Sequence, residues 1–117
     1  MSYKITTTSD FSRDAKRLSK KYRSFKTDFK HLIETLQVDP FQGTELFPGV
    51  RKIRMQIKSK GKGKSGGARI ITYNVIVNET EGEVFLVMLY DKEDFSSVDN
   101  KILKDLIHEM GLDKKIP

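Results

Sequence analysis

Eight lysines and arginines fall between Gly49 and Arg69 with no aspartate or glutamate among them, and Tyr90 and Lys92 follow further along the chain. Along VRKIRMQIK, Ile53, Met55 and Ile57 alternate with Lys52, Arg54, Gln56 and Lys58, the period of a strand with one face in a core and one in water. The wet face is cationic. Guanidinium and ammonium groups neutralise phosphate, and an RNA phosphodiester can break without a metal when its adjacent 2′-hydroxyl attacks. That reaction needs a proton acceptor, a stabilised phosphate and a proton for the leaving oxygen. If the Tyr90 strand lies beside the Arg69 strand, and that one beside the Lys52/Arg54 strand, then Lys52, Arg54, Arg69, Lys92 and Tyr90 can converge on one phosphate. Unperturbed Lys and Tyr titrate near pH 10, so crowding by cations would have to depress one of them. The same patch could instead bind RNA without cutting it, or be no more than a solvated face.

Other chemistries find little support. His31 and His108 stand far apart and in no spaced ligand cluster, so no metal site is expected. With no cysteine there is neither a thiol nucleophile nor a disulfide, which fits a reducing cytoplasm. No serine occupies a nucleophile-elbow motif, and the acidic residues gather away from any nucleophile. The glycines of GKGKSGG precede a predicted strand where a P-loop would need a helix.

The positioning elements can be read from periodicity. Tyr3 to Thr8 predicts a first strand, and Ser9 or Asp10 a helix cap. Phe11, Ala15, Leu18 and Tyr22 form an apolar stripe against Arg13, Lys16, Arg17, Lys20 and Lys21. A second helix carries Phe25, Phe29, Leu32, Ile33 and Leu36 and ends near Asp39-Pro40. The turn-rich PFQGTELFPG is expected to be a loop pinned by Phe41, Leu46 and Phe47. ARIITYNVIV, apolar on both parities, predicts a central strand, and Val84 to Leu89 another, whose even positions should put Leu86, Met88, Tyr90 and Lys92 on one face. A last helix from about Val98 to Met110, with Gly111 at its C-cap, should cover the sheet face that the helical hairpin leaves bare. The order strand, helix, helix, three strands, helix is that of an α+β domain with an antiparallel or mixed sheet.

The chain, residues 1–117, is read as one domain with a net charge of +6. Residues 70–117 carry five basic and ten acidic side chains, so an acidic C-terminal part follows the basic centre. No apolar run approaches the ~20 residues of a membrane span, and MSYKITTTSDF lacks a signal-peptide core. A soluble cytoplasmic protein is expected.

The run KGKGKSGGARIITY, with RKIR before it and LYDKED after it, resembles the RelE/HigB superfamily of toxins from bacterial toxin-antitoxin pairs. The resemblance extends over almost the whole chain. It implies an N-terminal strand and helical hairpin packed on a four-stranded, mainly antiparallel sheet with a C-terminal helix. It further implies cofactor-free, metal-independent cleavage of messenger RNA in the ribosomal A site, which inhibits translation. Lys52 and Arg54 match the family's paired basic positions, Arg69 the arginine opening its next strand, Lys92 the basic residue after its last, and Tyr90 the tyrosine of Y-x-K-x-E. RelE itself has another tyrosine further on, where this chain reads Ser97-Val98-Asp99, so Lys62 or Lys64 could share the proton transfer. Arg51, Lys58, Lys60, Lys62 and Lys64 are expected to bind RNA and the ribosome. The expected protein partner is a cognate antitoxin with a helix-turn-helix domain. The alternative is a non-catalytic RNA- or ribosome-binding module.

Overall fold

In chain order the elements are β1 (Lys4–Thr7), α1 (Ser9–Lys21), α2 (Phe25–Val38), β2 (Thr44–Phe47), β3 (Val50–Met55), β4 (Ala68–Ile76), β5 (Gly82–Asp91) and α3 (Asn100–Glu109). Short 3-10 turns follow β3 at Lys58–Lys60 and α3 at Leu112–Lys115. The computed structural model describes residues 3–94 and 96–115. The strands form one mixed sheet in the order β1-β5-β4-β3-β2. β4 is central, as its two-sided apolar pattern requires.

Two cores lie on the two faces of this sheet. On one, Phe11 and Leu18 of α1 and Phe25 and Leu36 of α2 meet Ile53, Ile70, Val84 and Leu86. On the other, Leu103 and Ile107 of α3 meet Ile71, Tyr73, Phe85, Val87 and Tyr90. Each helix presents the face its apolar stripe predicts, with one exception: Ile102 of the expected α3 stripe is 56% exposed. Gly111, at φ +71, takes the left-handed conformation expected after a helix end.

Four expectations need correction. The sheet has five strands, not four, because Thr44–Phe47 pairs antiparallel with β3, Thr44 opposite Lys52 and Phe47 opposite Val50. Four residues are too few to show a period, and Pro48-Gly49, with Gly49 at φ +84, is the tight turn between the two strands. Second, β1 runs parallel to β5, Lys4 opposite Glu83 through Thr7 opposite Leu86, which makes the sheet mixed. Third, α1 is capped by Thr8, whose hydroxyl accepts from the Phe11 N–H at 3.2 Å, and not by Ser9 or Asp10. Fourth, Phe41 does not pin its loop. It is 53% exposed, whereas Leu46 and Phe47 pack against the α3-side core.

Among the described residues no helix is long and apolar enough to cross a membrane.

Candidate nucleic-acid interface

The register lays the candidate residues in rows across the sheet. Arg54 of β3 stands opposite Arg69 of β4, and Arg69 opposite Tyr90 of β5. One pair further along, Lys52 stands opposite Ile71, and Ile71 opposite Met88. Because Ile53 and Met55 enter the helical-hairpin core, Lys52 and Arg54 take the opposite face, the one that carries α3.

The alternation along β5 is interrupted. Ile71 pairs with Met88 and Thr72 with Leu86, so Val87 is an extra residue in the ladder. Leu86 therefore belongs to the hairpin-side core while Met88 and Tyr90 belong to the α3 side, which corrects the expectation that the even positions share one face. Lys92 lies beyond the strand end, where its N–H donates to the Gly67 carbonyl at 3.1 Å and its ammonium sits 3.5 Å from the Ser65 carbonyl.

Arg69 and Tyr90 are brought together as expected, but they are covered. Each is 2% exposed. The Arg69 guanidinium donates to the carbonyls of Lys64 and Ser65, both at 3.0 Å, and to that of Ala68 at 3.3 Å. Burial pulls its pKa below the ordinary arginine value, and Arg54 adds to this by like-charge repulsion. Burial pushes the Tyr90 phenol up, and the Arg69 charge only partly opposes it. At neutral pH Tyr90 is therefore a proton holder and not a base.

The basic loop is anchored rather than loose. Asp28 accepts from the Lys58 N–H at 2.9 Å and from the Ser24 hydroxyl at 2.7 Å, and Ser24 in turn accepts from the Ser59 N–H at 2.9 Å. Lys60 is folded inward: its side chain is 4% exposed, and its ammonium lies 2.8 Å from Asp91 and 3.4 Å from Glu93. Asp91 also accepts from the Tyr22 hydroxyl and lies 3.7 Å from Lys21. Burial alone would raise the Asp91 pKa, but the hydrogen bonds from Lys60 and Tyr22 outweigh it and hold the carboxyl at about 2. Burial likewise works against the Lys60 ammonium, yet the net shift is upward because Asp91 holds the proton in place.

The expected RNA-binding set thus divides. Lys60 is a buried ion-pair partner, which removes it from the surface set. Arg51 shares the hairpin-side parity, and its guanidinium donates to the carbonyls of Gln42 at 2.9 Å and Gly43 at 3.0 Å, so it braces the loop before β2. Lys58, Lys62 and Lys64 are exposed. Lys62 meets Glu93 at 3.5 Å. Among the described residues Lys52, Arg54 and Lys64 have no acidic partner within ion-pair distance. These three cations line one groove of about 590 Å3 with Gly43, Thr44 and Leu46.

Sequence reasoning missed Asp91, Tyr22, Asp28 and Ser24. One signal pointed to Asp91, an acid that ends an apolar strand buried on both faces. Among the described residues no cluster of three or more His, Asp or Glu side chains could hold a metal ion. No protein-family model matches the chain.

Proposed function

We propose that this protein is a ribosome-dependent, metal-independent endoribonuclease that cleaves messenger RNA in the ribosomal A site, the RelE/HigB-like toxin of a cytoplasmic toxin-antitoxin pair. The observation that carries the reading is the groove lined by Lys52, Arg54 and Lys64, three cations with no acidic partner among the described residues, lying against the Arg54–Arg69–Tyr90 row. Uncompensated charge in a hollow attracts and focuses on an anion, and RNA supplies one phosphate per nucleotide. In the reaction the 2′-oxygen attacks the neighbouring phosphorus, the 5′-oxygen leaves with a proton, and a cyclic 2′,3′-phosphate remains. Arg54, Lys52 and Lys92 stabilise the crowded phosphate as charge builds on its oxygens. Arg69, tied to the loop carbonyls, stands opposite Arg54 in the register as a fixed positive charge, with Tyr90 on its other side. Proton transfer falls to Lys64, which in its neutral amine form takes the 2′-hydroxyl proton and, as the resulting ammonium, gives it to the leaving 5′-oxygen, with the ribosome positioning the messenger.

A second reading, a non-catalytic RNA- or ribosome-binding module, is favoured by one observation: Arg69 and Tyr90 are both buried. Programmed ribosomes incubated with the purified protein separate the two. A nuclease leaves messenger cut within the A-site codon when mapped by primer extension, whereas a binder leaves it whole. Expressed alone, a toxin also arrests growth, and co-expression of the small helix-turn-helix protein expected as its antitoxin restores it.

A further inference from the structure

We infer that Asp91 is a positioning residue for the proposed cleavage: without touching RNA, it sets Lys64, which moves the proton, and Lys92, which steadies the phosphate, relative to one another. This rests on the reading above for the reaction and adds what holds the acting lysines in place. Three features carry the inference. The first is convergence. Asp91 is fully buried, and its carboxylate collects donors from three parts of the chain. One oxygen lies 2.8 Å from the Lys60 ammonium and accepts from the Glu93 N–H at 3.1 Å. The other accepts from the hydroxyl of Tyr22, the residue that ends α1, and lies 3.7 Å from the Lys21 ammonium. Loop, first helix and last strand therefore meet on one side chain.

The second is its place in the chain. Asp91 directly precedes Lys92, whose N–H is tied to the Gly67 carbonyl and whose ammonium is 3.5 Å from the Ser65 carbonyl. Its partner Lys60 stands four residues before Lys64, which lines the groove. Arg69 holds the far end of the same loop through the Lys64 and Ser65 carbonyls. Between the two holds, Gly61 and Gly63 have positive φ, and a Cβ on either would meet nothing within 4 Å. Packing does not fix that stretch, so the direction in which Lys64 leaves the loop is set by the holds at its two ends.

The third is the kind of contact. Well-packed apolar side chains of similar volume often stabilise a fold as well as a buried ion pair does, so stability alone does not call for this one. What an apolar pair cannot supply is direction. The Lys60 ammonium is fixed in angle as well as in distance, by Asp91 and by Glu93 at 3.4 Å, and registry is the best-attested use of buried ionic contacts. Direction matters to the reaction, because a reacting group displaced by about 1 Å can lose on the order of 100-fold in rate.

The test is the double variant Lys60→Met/Asp91→Leu, which replaces the pair with apolar side chains and leaves no charge buried alone. Two quantities are read beside its urea midpoint: amide hydrogen exchange, and single-turnover messenger cleavage on saturating programmed ribosomes together with ribosome affinity. Exchange should quicken about tenfold from Lys62 to Gly66 while the helices and the rest of the sheet stay protected. Cleavage should slow about tenfold or more with ribosome affinity within about twofold of the parent. A merely structural role would move the urea midpoint and leave the rate of the bound, folded protein alone. Should the double variant not fold, Tyr22→Phe removes one donor to Asp91 and little volume, and both readouts should change about threefold in the same directions. Parental exchange in the loop of the folded variant overturns the proposal, and so does a loosened loop that cuts at the parental rate. A parental protein that cuts nothing sinks the nuclease reading alone, and loop exchange then decides whether Asp91 sets the two lysines.

Discussion

Lys60 and Asp91 form an ion pair at 2.8 Å with both side chains shut away from water, so the most basic stretch of the chain is fastened to the end of β5 by one of its own lysines. The Asp91 carboxyl titrates at about 2 against an ordinary 3.8. A depressed carboxylate stabilises the fold fully above its unfolded pKa and loses that contribution as pH falls through the folded one. Asp91 therefore adds about 2 kcal/mol above roughly pH 4, and this fades towards pH 2. Asp91→Asn should lower stability by roughly 3–5 kcal/mol at neutral pH, because it leaves the Lys60 charge buried beside a neutral group. Its stability should also fall less steeply between pH 4 and pH 2, as read by urea unfolding at stepped pH.

Lys60 and Lys62 are two residues apart and should behave as opposites. Lys60→Ala removes the buried partner of Asp91 and should lower the denaturation midpoint clearly. Lys62→Ala touches only an exposed pair with Glu93, so stability should change by less than about 1 kcal/mol. Its effect should appear in ribosome or RNA affinity, with a shallower salt dependence. Parallel urea melts and salt-titrated binding curves check both halves.

Gly67 is fixed by close approach. A Cβ at this position would lie 2.1 Å from the Met55 carbonyl oxygen, in the backbone of the neighbouring strand. Gly67→Ala should therefore destabilise by about 2 kcal/mol or more, whereas Gly61→Ala meets no atom within 4 Å and carries only the strain of its φ of +71. The ranking of the two melting temperatures is the check.

Arg69 holds its loop through the carbonyls of Lys64 and Ser65, which a lysine's single ammonium cannot replace with the same fork. Arg69→Lys should keep the fold and speed amide hydrogen exchange at Ser65 and Gly66. Exchange at the parental rate would mean that the loop is held by other contacts.

The sequence made some of this legible and concealed the rest for physical reasons. The stripe from Phe11 to Tyr22, the two-sided apolar run of β4 and the α3 stripe are periodic, and periodicity reports burial directly. The alternation of Lys52 and Arg54 with Ile53 and Met55 placed both cations on one wet face, and the register puts Arg54, Arg69 and Tyr90 in one row. What periodicity cannot carry is a break in itself. The extra residue at Val87 moves Leu86 to the other face, and a strand as short as β2 shows no period at all. Charge counting failed in a different way. It treats Arg51, Lys60 and Lys64 alike, whereas the fold spends Arg51 on two carbonyls, buries Lys60 against Asp91 and leaves Lys64 in the groove. Those partners lie 8 to 31 residues away in sequence, beyond the reach of a local pattern.

The central claim is that the exposed cations beside the Arg54–Arg69–Tyr90 row stabilise a phosphate during cleavage. Arg54 is the residue to change, since it is exposed and has no acidic partner among the described residues, so Arg54→Ala should fold normally by circular dichroism. The measurement is the single-turnover rate of messenger cleavage on programmed ribosomes, mapped by primer extension. The account predicts that the parental protein cuts within the A-site codon and that Arg54→Ala is slower by about 100-fold or more, the loss typical of removing one group aimed at a transition state. Intact messenger with the parental protein, or a folded Arg54→Ala that cuts at the parental rate, would contradict it.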